Sequence, residues 1–367
     1  MVNDVLILGG GLAGGAAATL LAKEGIPVLL LERETGPRDK ICGEFLSIEA
    51  LRDLQTLGLD PARLGAVAVD RVRLVSGNRA VEAKLPFAAM GVSRKVLDEA
   101  LLELAWRNGA QIQRGIRVTG LDEDGARTCQ GTVSASRTLL ATGKHEVRGA
   151  RRNQHNAHDG YVGFKMHFRQ SLRQRSEMGS AIELVLFEGG YAGLQQVGGN
   201  VVNLCLVLRQ SRLNELGNRW EQVFAMVMRE PHLAKRLDDA QALMAQPLTI
   251  ANLPYGFICD PSTTTPAGVF RLGDQAAMTA SLTGDGMALA LRSAHIVSAC
   301  LQAGLNASAY HRNLRRSVSR QVRRAMLIQR ASELQSAVKV GFGVMEIWPG
   351  LLGKMANATR LPIRKTA

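Results

Sequence analysis

Val5-Leu6-Ile7-Leu8-Gly9-Gly10-Gly11-Leu12-Ala13-Gly14 is the stretch that decides how this chain folds. Four apolar residues run straight into Gly-x-Gly-x-x-Gly, and small residues continue from Gly15 to Ala18. The pattern predicts strand, tight turn and helix; Gly25 stops the helix, and a second apolar run, Val28 to Leu31, ends on Glu32. Each part has a mechanical task. Gly9 makes the turn, Gly11 lets the backbone touch a pyrophosphate, and Gly14 lets helix pack on strand. The helix N-terminus at Leu12 and Ala13 offers free N–H groups and partial positive charge to phosphates. Glu32, 18 residues beyond Gly14, stands where a carboxylate accepts both hydroxyls of a ribose and repels a 2′-phosphate. A dinucleotide-binding βαβ unit is the expectation, and the acid argues against NADP at this position.

Working outward, 367 residues with 46% hydrophobic content and 38 glycines suit two domains or one large composite α/β domain. Lys23-Glu24, Gly25 and Pro27 interrupt the first apolar stretch, and no basic region precedes it. No targeting segment or spanning helix is therefore read, and the expected location is cytoplasmic, with a peripheral position at the inner face of the membrane as a variant. Five scattered cysteines show no metal or redox spacing, which suits a reducing compartment. His155 and His158 share a polar loop and are read as solvated, so no metal is expected.

The net charge of +13 is uneven. Between Asp285 and Glu333 there is no acid, yet Arg292, Arg312, Arg315, Arg316, Arg320, Arg323, Arg324 and Arg330 fall there. Such a strip is either a solvated helix face or a surface for anions. With 4% aromatic residues and none among the arginines, nucleic acid is the weaker partner. The apolar segment Val338 to Met355 that follows points instead to an anionic membrane surface reached through the Arg312–Arg330 strip, or to a lipid-like substrate.

Between these ends, Ser47 opens a helix that stops before Gly58, and Val69–Val75 and Ala80–Leu85 alternate like a hairpin about Ser76-Gly77-Asn78. Ser93 caps a strong helix ending before Gly109, and Ile116–Leu121 and Arg137–Leu140 read as short strands. From Gly160 the chain turns strand-rich, which predicts an antiparallel sheet with a helical insert around Trp220–Arg229. Val269–Leu272 then runs into Gly273-Asp274, followed by Thr283-Gly284-Asp285-Gly286-Met287 and a long helix.

Gly9-x-Gly11-x-x-Gly14 with Glu32, Ser93-Arg94-x-x-x-Asp98, Leu140-Ala141-Thr142-Gly143, and Gly273-Asp274 with Thr283-Gly284-Asp285-Gly286-Met287 occur in one order. This order resembles the FAD-binding fold of the p-hydroxybenzoate hydroxylase superfamily, which includes aromatic monooxygenases, geranylgeranyl reductases and flavin-dependent halogenases. The resemblance implies a discontinuous, glutathione-reductase-type Rossmann-like domain (1–68, 92–158 and 262–305), an antiparallel substrate domain (69–91 and 159–261) and a basic, then apolar helical segment (306–367). It implies FAD as cofactor. Asp274 is expected on the ribityl chain, Arg33 and Arg94 near the adenosine and phosphates, and Gly273, Gly284, Asp285, Gly286 and Met287 around the flavin, where the helix dipole stabilises a reduced ring.

Lys40-Ile41-Cys42-Gly43-Glu44 resembles the Cys-Gly segment of geranylgeranyl reductases, which puts Cys42 and Gly43 beside the isoalloxazine. Cys42 either tunes the flavin or is a small buried packing residue; Glu44 is either a general acid or a cap for the next helix. Gly189-Gly190-Tyr191 also resembles the reductases, but Gly193 and Gln195-Gln196 replace that family's Trp and Phe-Pro. Trp348-Pro349 does not form the halogenase motif. The expected function is hydroxylation of an aromatic or polyketide-like lipophilic molecule by a flavin monooxygenase. The alternatives are a reductase or dehydrogenase of a prenyl or alkyl chain and, of another class, an FAD-containing RNA-binding protein. The electron donor stays open between NAD(P)H and a separate flavin reductase.

Overall fold

A computed structural model describes residues 4–152, 159–260 and 268–362; His155 and His158 lie outside them. In chain order come β1 (Val5–Leu8), α1 (Leu12–Lys23), β2 (Val28–Glu32), β3 (Phe45–Leu46), α2 (Ile48–Leu57), β4 (Val67–Ser76), β5 (Arg79–Gly91) and α3 (Arg94–Arg107). Next are β6 (Gln111–Arg114), β7 (Val118–Asp122), β8 (Gly125–Thr128), β9 (Gly131–Val133) and β10 (Arg137–Leu140). The second half holds β11 (Tyr161–Arg169), α4 (Leu172–Met178), β12 (Ala181–Phe187), β13 (Gly190–Gln196), β14 (Val201–Arg209), α5 (Gln210–Glu215), α6 (Trp220–Val227), α7 (Pro231–Leu237), β15 (Gln241–Ala242) and β16 (Leu248–Ile250). After β17 (Val269–Arg271) the chain is helical: α8 (Gly286–Gln302), α9 (Ala307–Glu333), α10 (Gln335–Ile347) and α11 (Gly350–Ala358).

The first body is a parallel sheet in the order β17-β10-β1-β2-β6. The central strands β1 and β2 are short continuous apolar runs because both faces are covered, while the edge strand β6 alternates exposed and half-buried residues. Leu6, Leu8, Leu29 and Leu31 face one way, toward Leu121 and Val147. Val5, Ile7, Val28 and Leu30 face α1, α3 and α8. Alanines on α1 permit close helix–sheet contact, and Ser93 caps α3 by accepting the Lys95 N–H at 3.2 Å.

The second body is a nine-stranded sheet built on the path β15-β11-β14-β13-β12-β4-β5-β3. Alternation along β11 divides its two faces. Val162, Phe164, Met166 and Phe168 pack beneath α4 to α7, with the Phe164 and Trp220 rings 5.6 Å apart. Lys165 and His167 point the other way, toward the loop before β3. One junction departs from the antiparallel expectation: β12 runs parallel to β4. The β4–β5 hairpin arrives from an earlier part of the chain, so no hairpin turn dictates its direction.

The C-terminal helices complete both bodies. Tyr310, Leu314, Val318 and Val322, spaced four apart, bury α9 against the first core, while Phe342, Met345 and Leu352 cover the hairpin side of the large sheet. Arg312, Arg316, Arg320, Arg323 and Arg330 remain exposed. Arg292 does not belong to that strip: it is buried on α8, 3.8 Å from Asp53 and bonded to the Pro362 carbonyl. A run of like charge in sequence does not show which members a helix turns inward.

His311 is buried against Tyr310, and burial pushes its imidazole down to about 4 from 6.5. Protonation therefore favours the unfolded chain, and stability is lost as pH falls from 6.5 toward 4. Asp285 works in the opposite sense, because burial raises it to about 6 and protonating it favours the fold. His311→Phe is expected to make the acid limb shallower, recovering up to roughly 3 kcal/mol at the acid end. Urea unfolding at pH 4.5 and 7.5 checks this; equal losses in variant and wild type would remove His311 from the account.

Candidate cofactor and substrate site

The glycines of the first turn divide into packing and opening roles. Gly9 has φ +108°, and a Cβ there would lie 2.6 Å from the Ala141 oxygen; a Cβ on Gly14 would overlap the Gly9 oxygen. Gly11 differs. Its backbone is extended, and a Cβ would meet nothing nearer than Lys40 Nζ at 3.5 Å and an Arg94 nitrogen at 3.7 Å. The turn is thus closed behind and open in front, facing two cations and the first N–H groups of α1 at Leu12 and Ala13. That cradle suits a pyrophosphate.

Glu32, at the end of β2, is buried; Oε2 accepts the Gly10 N–H at 2.6 Å and Oε1 the Glu34 N–H at 2.9 Å. A shallow cleft beside it is lined also by Lys40, Asp98 and Arg114. Arg33 instead pairs with Glu34 on the surface. Arg94 grips Asp98 with two hydrogen bonds of 2.8 and 2.9 Å, and Lys40 joins at 3.0 Å. Burial alone would raise the Asp98 carboxyl, but Arg94 and Lys40 outweigh it and hold the acid below its ordinary range. Arg94 is fixed next to the open turn by that grip.

Beyond the phosphates, Gly273 turns at φ +57° and puts Asp274 at the end of β17, where its carboxylate meets Lys144 at 2.9 Å. Gly284, with φ +72°, sits so close to the Phe45 ring that a Cβ would reach within 2.8 Å. Gly286 has open space in front of it and begins α8, so the free N–H groups of that helix end are available. Met287 sends its side chain into the core, leaving only its backbone for a cofactor. Asp285 is fully buried and turned away, 2.5 Å from Arg360, which also donates to the Thr283 oxygen at 2.6 Å. A residue 75 positions later thus holds the turn expected at the flavin.

The Cys42–Glu44 segment lies against the large sheet. Cys42 is half-buried; its Sγ accepts the Glu44 N–H at 3.3 Å and its carbonyl accepts from Asn203 at 2.9 Å. A Cβ on Gly43 would meet nothing. Glu44 has φ +62° and is fully buried. Its Oε1 accepts from Lys165 at 2.6 Å and from the Arg94 N–H at 2.7 Å, and Oε2 meets His167 at 2.8 Å. Burial would raise its carboxyl, but His167 and Lys165 pull it below the usual range, so the group is ionised. The helix it caps is α3, not the next one, α2. Asp39, Glu44 and His167 could converge on a cation, but the Lys165 ammonium already fills that role.

Facing this segment, the sheet presents Lys165, Cys205, Gly193 and Leu184 in one row, and Gly163, Val207, Tyr191 and Leu186 in the next. Tyr191 and Tyr255 both hydrogen-bond Ser281, which joins the wall to the turn before α8. Burial pushes the Cys205 thiol up to about 12. Lys144, Lys165, His167 and Arg360 enter the site without any signal in the glycine motifs, whereas Tyr191 comes from the Gly189-Gly190-Tyr191 segment. Of those four, Lys144 alone had a local clue, its place directly after the Ala141-Thr142-Gly143 turn.

Comparison with known proteins agrees with this geometry. The FAD binding domain family model matches residues 3–149. Menaquinone reductase from Mycobacterium tuberculosis is 33% identical over 129 residues, 34% of this chain and 32% of that protein. Digeranylgeranylglycerophospholipid reductase 1 from Methanothermobacter thermautotrophicus is 32% identical over 163 residues, 40% of each. The chain thus spans a third to two fifths of the length of these curated relatives. The solved structure of the flavin-dependent brominase Bmp2 superposes with a TM-score of 0.78 at 18% identity, covering 97% of this chain and 93% of that one. Residues 3–149 thus carry an FAD-binding domain, the whole chain shares the fold of a flavin-dependent enzyme, and FAD is the cofactor that the domain match and the fold support.

Proposed function

We propose that the protein is a monooxygenase that hydroxylates an aromatic or polyketide-like lipophilic molecule. FAD, when bound, supplies two-electron chemistry and a means of activating oxygen. Gly11, Glu32, Arg94 and Asp274 would hold it, with the N-terminus of α8 beside its pyrimidine edge. The chain's own part is to orient the substrate and exclude water, and the wall of Leu184, Leu186, Tyr191 and Val207 does both.

The observation that carries the reading is how the ionisable groups at this wall are engaged. Glu44 is ionised and bonded to Lys165 and His167, and Cys205 and Tyr191 are held as neutral, weak acids. Saturating a carbon–carbon bond requires a proton delivered to carbon, and a thiol and a phenol raised this far are weak donors for that step. Hydroxylation requires mainly a dry, oriented pocket. The second reading, reduction of a prenyl or alkyl chain, is favoured by the Cys42-Gly43-Glu44 segment and by the reductase names of the curated relatives.

The test supplies a long-chain alkylphenol and a polyprenyl quinone in turn, with NADH, NADPH or a separate flavin reductase, under isotopically labelled oxygen and under nitrogen. The expected result is an aromatic product carrying one labelled oxygen atom, formed only with oxygen. A product that gains two hydrogens under nitrogen would overturn the reading in favour of the reductase.

A further inference from the structure

We propose that the outer face formed by the end of α9 and by α10 docks on an anionic lipid bilayer. This surface is independent of which reaction the flavin performs. Among the described residues, six of the eleven exposed large hydrophobic side chains fall in one stretch: Leu327, Leu334, Val340, Val344, Ile347 and Trp348. Ile347 is 88% exposed and Val340 68%. On α10, Val340, Val344 and Ile347 follow i, i+4, i+7 spacing and share a face. Phe342 and Met345 on the other side are buried over the large sheet. The helix is apolar on both sides, which in water leaves the outer side without a partner.

Charge identifies the partner. Arg323, Leu327 and Arg330 lie along one face of α9, and exposed Leu334 follows at its end, so cations and apolar groups alternate there. Lys339 is exposed on α10, and the Lys354 ammonium stands 4.3 Å over the Trp348 ring. After Asp285 the sequence contains only two acids, Glu333 and Glu346. Both are engaged: Glu333 bonds Tyr161 and Arg209, and Glu346 pairs with Arg79 at 2.8 Å. Apolar side chains rimmed by unopposed cations, with a tryptophan among them, match a headgroup layer over acyl chains. No helix among the described residues is long and apolar enough to cross a membrane, so the contact would lie in the plane of the surface. A nucleic acid would use the arginines but leave the aliphatic row unburied, and a protein partner would not require the excess of cations.

The test is sedimentation of the FAD-loaded protein with vesicles of phosphatidylcholine alone or with about a third phosphatidylglycerol, beside a vesicle-free control. Binding is expected on the anionic vesicles, with at least about tenfold loss between low and high salt. Ile347→Ser/Trp348→Ser should weaken binding about tenfold or more with unchanged FAD content and melting temperature. Arg323→Ser/Arg330→Ser should reduce the salt dependence. Trp348 fluorescence should shift to the blue on anionic vesicles, and the shift should vanish in Trp348→Phe. No vesicle binding, equal binding to neutral and anionic vesicles, unaltered binding by Ile347→Ser/Trp348→Ser, or salt-sensitive RNA binding in place of vesicle binding would each overturn the proposal.

Discussion

Replacing Gly14 with alanine is expected to cost the fold, whereas replacing Gly11 with valine is expected to cost only the flavin. A methyl group on Gly14 would overlap the Gly9 carbonyl and press on Ala141, and both neighbours are fixed between α1 and the parallel sheet. Backbone has no rotamer with which to yield, so the loss should reach about 3 kcal/mol or more and reduce soluble yield. Gly11 has an extended backbone, and the nearest atoms to its missing side chain are the ends of two flexible cations. Gly11→Val should therefore melt like apo wild type, elute as a folded monodisperse species, and bind FAD about a hundredfold more weakly. Flavin absorbance and FAD titration decide it. A yellow Gly11→Val protein, or a Gly14→Ala protein as stable as wild type, would remove the division between a structural and a ligand-facing glycine.

The second large effect is expected at Glu44. Glu44→Gln keeps the shape but leaves the Lys165 ammonium, fully buried, with only Asp39 at 3.6 Å among the described residues for an opposite charge. Removing one member of a buried ionic group costs about 3–5 kcal/mol, chiefly through the charge left behind. Because the folded carboxyl titrates below 4.5, its contribution is complete above that pH and fades as pH falls through the depressed value. The gap between wild type and Glu44→Gln should then narrow in acid. Glu44→Gln/Lys165→Met should recover part of the loss, since both charges leave together. Chemical unfolding of the three proteins at pH 7 and pH 4 measures this. A single variant within about 1 kcal/mol of wild type would show that the pair is better hydrated than the geometry implies.

The sequence is most legible where local rules act alone. Val5–Gly14 forces a strand, a turn and a helix, because few backbones accommodate that density of apolar and glycine residues. Ser93, Leu97 and Leu101 mark α3 by cap and period, and Val162 to Phe168 alternates as a sheet with two different faces must. The residues that stayed hidden reach the site across long stretches of chain. Lys165 and His167 look like ordinary strand positions, and nothing nearby says that a glutamate 121 residues earlier receives the lysine. Arg360 lies just past the last short helix, whose pattern says only that it packs. Glu44 was readable as an acid in a suggestive motif, but its role depends on α3, which the following residues separate from it by a helix and a hairpin. Side-chain direction was illegible as well: Met287 turns to the core and Arg292 leaves the basic strip, because each rotation is set by the neighbour across the interface.

The strand order of the parallel sheet has a consequence for how the protein is made. β17 closes the edge beside β10, yet it is residues 269–271, some 130 positions later in the chain. While synthesis proceeds, β10 presents an unpaired strand edge of Thr138, Leu139 and Leu140 until that segment clears the ribosome. Asp274 and the Thr283–Gly286 turn emerge later still, and Arg360, which holds the turn, after both. Glu32 and the glycine loop are therefore ready to meet a dinucleotide long before the other half of the cradle exists.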